Sequence, residues 1–544
     1  MLDLDRRSLL RLGSFGLGSL GIGALANPAA ASLLAARGFT HNVASGEPRA
    51  ASVMLWTRYV PASGEGRLNW QVSENTDFTR VVAEGTAIAR PEQDYCVKPV
   101  AGGLQPGRWY YYRFLDGAGQ ASPVGRTRTL PQGAVTRFNL GVFSCSNLPF
   151  GWFNAYGHAA ARDDLDLIVH LGDYLYEYQR GTYPDADMAL AERVIEPAGE
   201  IIALADYRLR YAAYRSDADL QRLHQLLPMV MMWDDHEIAN DAWMGGAENH
   251  QPDSEGDWGA RRTAAMRAYR EWLPVSDSMW DSYEIGDLAT LFRPETRLSG
   301  RVQPLDLGAA LAGQQDPVAA MVAFRDGPWQ DPARTMLGAE QERWLADGFA
   351  RSVRAGQKWQ ILAQQVIMGS VRMAPEIAPM LPAQAGEDIR RAVMAGSLAA
   401  KAGLPFNLDM WDGYPAARSR LLRSALDANA SLITLSGDSH NAWAFDLDVD
   451  GTPAGVDWAV QSVTSPGYET YVPWVKPDDL MQVTVAANPQ LKWADLSRRG
   501  YMTVHLEPEQ ARCEWLFLDS IRQRSGNIAG RHGMSVSRGA NRMA

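Results

Sequence analysis

Four apolar runs in this 544-residue chain stop abruptly at side chains that bind metal ions. "FSCSN" closes the first and offers Cys145, and "DLIVHLGDYLYEY" (166–178) supplies Asp173 and, three residues on, Tyr176. "WDDHEIAND" carries Asp234, Asp235, His236 and Asn240, and "LSGDSHNAW" carries Asp438 and His440. A thiolate, a carboxylate, a phenolate and imidazoles suit a transition metal, and the further carboxylate oxygens suit a harder second ion. One carboxylate shared between two ions would act as a bridge; Asp173 is the candidate.

Each residue taken alone has a plainer reading. Cys145 fits a buried structural thiol, Tyr176 a core aromatic with a bonded hydroxyl, and Asp173 an ordinary turn residue. Asp234 reads first as the cap of a helix opening near His236, ahead of ligation. His236 or His440 alone is a weak signal, but of nine histidines these two stand just past apolar strands beside an Asp. The combination outweighs its members, because open α/β sheets gather ligands outside the carboxyl ends of their strands.

The positioning elements are legible as short apolar runs that fit strands covered on both faces: "RFNLGVFSC", "DLDLIVHLGD", "LLPMVMMWDDHE", "LATLFRPETR", "QKWQILAQQVIMG" and "NASLITLSGDSH". Between them "DYRLRYAAYRSDADLQRLHQLL", "GARRTAAMRAYREWL" and "GAEQERWLADGFARSVRAG" carry helical signals. This predicts a layered α/β domain over 136–544. Upstream, residues 38–130 alternate aromatic and polar positions with closely spaced turns, which predicts a small immunoglobulin- or fibronectin-like β-sandwich. "TLPQGAVTRF" supplies the Pro and Gly of a linker.

Composition bounds the chemistry. A net charge of -11 and a pI near 5.4 disfavour a nucleic-acid partner, which calls for a basic face. Cys96, Cys145 and Cys513 are too few, and odd in number, for a disulfide framework. At the N-terminus Arg6 and Arg7 precede a short Gly-rich apolar run and small residues near 29–31. That pattern predicts a twin-arginine signal peptide over 1–31, export by the twin-arginine (Tat) machinery, and a periplasmic or secreted mature chain with no transmembrane segment.

Taken in order, "FSCSN", "HLGDYLYEY", "WDDHE" and "LSGDSHNAW" resemble the PhoD-like alkaline phosphatases, a branch of the calcineurin-like metallophosphoesterases, and "TMLGAEQERWL", "WDGYPAAR" and "SVTSPGYE" extend the resemblance over nearly the whole mature chain. The resemblance implies a four-layer αββα double β-sandwich and a centre of iron (Fe3+) and calcium (Ca2+). It assigns Cys145, Asp173 and Tyr176 to iron, with Asp173 shared with calcium. Asp235 stands where related enzymes carry Asn before His-Glu and is assigned to the second metal, and Asp438 and His440 complete the site. Where many family members read Asp-Thr-Arg, this chain has Glu295-Thr296-Arg297. Arg297 fits two roles equally, binding phosphate oxygens or tying down its strand.

The activity this implies is exported phosphate-ester hydrolysis, on monoesters, diesters or both. Paired cations neutralise phosphate oxygens and bring the pKa of a bound water toward about 7, so that hydroxide becomes available. His236 is the candidate to stabilise the transferring group or protonate the leaving alkoxide, against a structural hydrogen bond to Asp234 or Glu237. Two other readings stand beside this one. A phospholipase D-like phosphodiesterase would use the same scaffold, and the aromatic segment 243–280, by default core packing, would then narrow the entrance or form a lipid-facing rim; a non-catalytic protein would use its sandwich to bind a surface polymer.

Overall fold

A computed structural model of the chain describes residues 32, 33, 35–382 and 385–544; the signal segment expected over 1–31 lies outside them. All six expected catalytic strands are present: Phe138–Phe143, Leu167–His170, Met229–Met231, Ala289–Arg293, Trp359–Ala363 and Leu432–Ser436. Every residue in them is buried. Burial on both faces is why their sequences run apolar without alternation.

These strands form the centres of two sheets. The larger has ten strands and follows the order Ile528–Ser537, Gln510–Leu518, Gly500–Leu506, Phe138–Phe143, Leu167–His170, Met229–Met231, Gly38–Gly46, Ser52–Val60 and Cys96–Val97, with Val100–Gly102 also paired to Ser52–Val60. The second has seven, in the order Asp281–Ile285, Ala289–Arg293, Trp359–Ala363, Leu432–Ser436, Thr452–Ala459, Ala442–Val449 and Leu491–Asp495. Parallel pairing runs through the middle of each, so the carboxyl ends of successive strands open on one edge.

One apolar cluster joins the inner faces, bringing Leu140, Val169 and Val230 of the first sheet onto Leu291, Ile361 and Ile433 of the second. A second cluster covers the outer face of the larger sheet with the helices Leu204–Arg215, Ala218–Leu226 and Trp258–Trp272, through Tyr211, Leu223 and Trp272. A third covers the seven-stranded sheet with Gly338–Arg354 and Pro415–Asp427. Gly338–Arg354 buries Gln341, Leu345, Gly348, Phe349 and Ser352, the spacing of a single helical face. The architecture is a mixed α/β fold built on several sheets.

The N-terminal strands divide between two sheets. Val81–Ala89, Gly66–Ser73, Trp109–Leu115 and Gly125–Arg128 make a four-stranded antiparallel sheet. Its Leu68, Val72, Tyr110 and Phe114 pack on Val43, Val53 and Leu55. Those three sit on strands that continue the ten-stranded sheet, joined to it at Gly46 opposite Met229. Among the described residues no helix is long and apolar enough to cross a membrane.

Candidate metal centre

The loops that follow the strands are locked to one another through their backbones. Cys145 N–H donates to the Gly172 carbonyl at 3.2 Å and Ser146 N–H to the Asp173 carbonyl at 2.8 Å, while Gly437 N–H donates to Gln365 at 2.6 Å. Gly172, at φ +105°, lies so close to the next loop that a Cβ there would sit 2.4 Å from the Asp234 Cβ. This requirement explains the glycine of the Gly-Asp pair. Cys145, Asp173, Asp438 and His440 all take left-handed backbone conformations, with φ of +61°, +52°, +63° and +64°. Asp and His are among the residues found more often in this region, whereas Cys145 adopts it at a cost of about 1–2 kcal/mol. Such strain collects where the backbone aims a functional side chain.

The ligand-type atoms converge in three overlapping groups, each spanning no more than 4.8 Å: Cys145, Asp173 and His440; Asp173, Asp235 and His236; Asp234, Asp235 and Asp438. Asp173 joins the first two groups and Asp235 the last two. The Tyr176 hydroxyl is 3.0 Å from Asp173 Oδ2, 3.2 Å from His440 Nε2 and 2.6 Å from Ser465 Oγ. Arg297 closes the far side, donating from Nε to Asp234, from Nη1 to Asp409 at 2.8 Å and from Nη2 to Asp438 at 3.2 Å. The candidate residues read from the sequence thus form one contiguous cluster with the exception of Asn240, whose side chain donates to Glu248 at 3.2 Å.

Its electrostatics are those of a cation site. Burial, reinforced by neighbouring acids, pushes the Cys145 thiol and the Asp173 carboxyl far above their usual ranges. The Tyr176 phenol is raised by burial and by Asp173. Burial raises Asp234 as well, against the pull of Arg297. Asp173 Oδ1 and Asp234 Oδ2 are buried with no hydrogen-bond donor to meet them. Charge on so many buried oxygens is affordable only beside compensating cations, and the donor set fits a soft or trivalent ion at Cys145 and Tyr176 with a harder one among the carboxylates.

His236 faces a different partner from those its sequence neighbours suggested. Its Nδ1 pairs with Glu177 Oε2 at 2.7 Å, not with Asp234 or Glu237, which leaves Nε2 for the cluster. Burial alone would lower its pKa, but Asp235, Glu177 and Asp173 together hold it well above the ordinary imidazole value. Glu177 is fixed in turn by Asn240 N–H and Asn249 Nδ2.

No helix begins at Asp234. Residues 236–241 form turns, and the Asp234 side chain reaches Arg297 in place of a cap position. Half of the capping pattern survives: Glu237 Oε2 accepts the Asp234 N–H at 2.9 Å. The same carboxylate also takes the N–H groups of Asp173 and Tyr174, tying two ligand loops together. Asp235 accepts from the N–H groups of His236 and Asp241 at 3.0 and 2.7 Å, which fixes its own position.

Glu295, the departure from Asp-Thr-Arg, serves the turn. Its carboxylate accepts from Trp233 Nε1 and from the N–H groups of Arg297, Leu298 and Ser299, while Gln341 brackets its backbone N–H and carbonyl. Glu295→Ala strands several buried donors, each costing about 1–3 kcal/mol. Thermal or urea unfolding is expected to show a loss of about 3 kcal/mol or more, with Arg297 displaced.

Sequence reasoning passed over Glu177, Asp409 and Arg301, and considered Glu237 only as a hydrogen-bond partner of His236. Glu177 was within reach as the residue after Tyr176. Asp409, which links Arg297 to Arg301, follows no strand end and gave no signal. In the aromatic segment Trp272 is fully buried, while Trp243, Trp258 and Trp280 are half-buried. Cys96 and Cys513 are both free and buried.

Comparison with known proteins agrees over almost the full length. Residues 140–515 match the family described as PhoD-like phosphatase, and residues 25–131 match the PhoD-like phosphatase N-terminal domain. The chain is 32% identical over 518 residues to alkaline phosphatase D of Bacillus subtilis (strain 168), covering 91% of this chain and 80% of the relative. It superposes on a solved structure of PhoD with a TM-score of 0.75 at 29% identity, covering 94% of this chain and 92% of that one. The chain belongs to the PhoD-like phosphatase family and is a metal-dependent phosphoric ester hydrolase of that family.

Proposed function

We propose that the protein is an exported phosphatase whose metal centre joins the ends of four strands, with Asp173 as the bridging ligand. Cys145, Tyr176 and His440 would hold ferric iron on one side of Asp173, and Asp235, Asp438 and Asp234 would hold calcium on the other. The single observation carrying this reading is that Asp173 belongs at once to the thiol-imidazole group and to the carboxylate-imidazole group, each within 4.8 Å. Residues 38–130 would form an immunoglobulin-like domain and 136–544 a four-layer αββα catalytic domain, as the apolar clusters on both faces of each large sheet suggest. Export through the twin-arginine route would follow from the sequence at Arg6 and Arg7.

When bound, paired cations at this site would neutralise phosphate oxygens and acidify a water for in-line attack. The protein's own groups would do the rest. His236, oriented by Glu177 so that Nε2 faces the cluster, would donate a hydrogen bond to the transferring phosphoryl group and then its proton to the leaving alkoxide oxygen. Arg297 is a positioning residue on this reading: its donors are taken by Asp234, Asp409 and Asp438, so it would hold two ligand carboxylates in place. It would not grip substrate.

The substrates would be small phosphate monoesters or diesters. A panel of aryl monoester, aryl diester and phosphatidylcholine, run before and after chelation, tests the reading. Turnover of the simple esters, abolished by a chelator and restored by added iron and calcium, is the expected result. Hydrolysis confined to phosphatidylcholine would favour the phospholipase D-like alternative, and full activity after complete metal removal would overturn the proposal.

A further inference from the structure

The carboxylates on one side of the cluster share a guanidinium. Arg297 donates from Nε to Asp234 and from Nη2 to Asp438, and Nη2 is 3.7 Å from Asp235 Oδ1, so it reaches every member of the acidic group. These are the acids read above as ligands of the second ion. A cation in this place has two effects of opposite sign. Its rigid, planar fork fixes where the ligand oxygens stand, but its charge, in a buried site, repels the metal ion those oxygens would hold. Arg cannot resolve the conflict by shedding its proton.

Asp409 meets both demands. Its Oδ2 accepts at 2.8 Å from Arg297 Nη1, the nitrogen that Asp234 and Asp438 do not use. Its Oδ1 accepts from Arg301 Nη2, which also donates to the Asp409 carbonyl at 2.5 Å. Arg301 is anchored in turn by the Thr296 carbonyl at 3.3 Å and lies over the Tyr414 ring, 5.2 Å from its centroid. The Asp409 N–H donates to Asn407 Oδ1 at 2.8 Å, which sets the turn from which the carboxylate projects. The whole makes a ladder of alternating charge, from the ligand acids through Arg297 and Asp409 to Arg301, with no side chain more than 4% exposed.

We propose that Asp409, held by Arg301, is a positioning residue for the second metal. It stands closer to Arg297 than any other rung outside the ligand group, so it offsets the guanidinium charge beside that ion while keeping the fork in register with Asp234 and Asp438. It thereby sets how tightly the carboxylate side binds its ion and leaves the thiol-phenol side alone. The inference rests on the two-metal reading given above, with calcium on the carboxylate side.

Natively exported holoenzyme and its Asp409→Asn variant, equilibrated at graded free calcium, test it through four readouts: retained calcium, retained iron, the visible absorption of the iron centre, and turnover of an aryl monoester. The variant is expected to lose half its calcium at about 10–100-fold higher free calcium than wild type, the range for groups that orient metal ligands from behind. Iron and its absorption should be unchanged, and excess calcium should restore turnover. Equal calcium retention in the two proteins overturns the inference and leaves the two-metal reading standing. A wild type that holds no second ion removes that reading, and the inference with it. Iron lost together with calcium, or turnover that excess calcium does not restore, assigns Asp409 a general structural role and also overturns the proposal. If Asp409→Asn does not fold, Arg301→Lys, which loosens the hold on Asp409, decides on the same readouts: a calcium shift in the same direction with iron unmoved supports the proposal, and no shift overturns it.

Discussion

Asp173→Asn is expected to give a folded protein that has lost its metals and about 10³-fold or more of its turnover. Asn is the informative replacement because position 173 is left-handed, at φ +52°, a region that Asn shares with Asp. Its Oδ1 still accepts from Tyr176, so the local geometry is kept. What disappears is the negative charge common to both halves of the cluster. Paired cations contribute several kcal/mol of transition-state stabilisation, and about 4 kcal/mol corresponds to about 10³-fold in rate. In the metal-free protein the same change removes a buried carboxylate that burial and its acidic neighbours disfavour. The metal-free variant should therefore melt at the same temperature as metal-free wild type, or higher. Elemental analysis, an ester assay and calorimetry on one preparation separate lost ligation from lost folding; retention of metal and activity would remove Asp173 as the bridge.

His236→Ala should do the opposite: metals stay and kcat falls by about 10²–10⁴-fold, the range of a positioned acid-base group. Its ring sits on the Tyr176 ring at 4.3 Å and bonds outward to Glu177. The metals would remain because Cys145, Asp173, Tyr176, Asp235 and Asp438 are untouched. The loss should be smaller for esters with good leaving groups, which need less proton donation. An equal loss across a leaving-group series would assign His236 to phosphoryl binding alone, and unchanged turnover would remove it from the mechanism.

The strands and the candidate ligands were legible for one physical reason. A strand covered on both faces is apolar throughout, so the polar residue that ends it stands out, as Cys145, Asp173 and Asp438 do. The turn after Trp233 was misread because Asp234-Asp235-His236-Glu237 has the spacing of a capping box. Glu237 does reach back to the Asp234 N–H, but Arg297, 63 residues downstream, draws the other half of the pattern away. Asp409 and Arg301 act only through such long-range pairing, and no local spacing marks them. The N-terminal strands show the same limit: their alternation marks a sheet, but the pairing of Gly46 with Met229 is not written near either residue.

The most direct test is the location of the metals in natively exported protein, purified without chelators, by anomalous diffraction at the iron edge together with elemental analysis. The account predicts an iron peak bonded to Cys145, Asp173 and Tyr176, with a second ion across Asp173 among Asp235 and Asp438. An active protein with no metal at these side chains, or with its metals bound elsewhere, would contradict it.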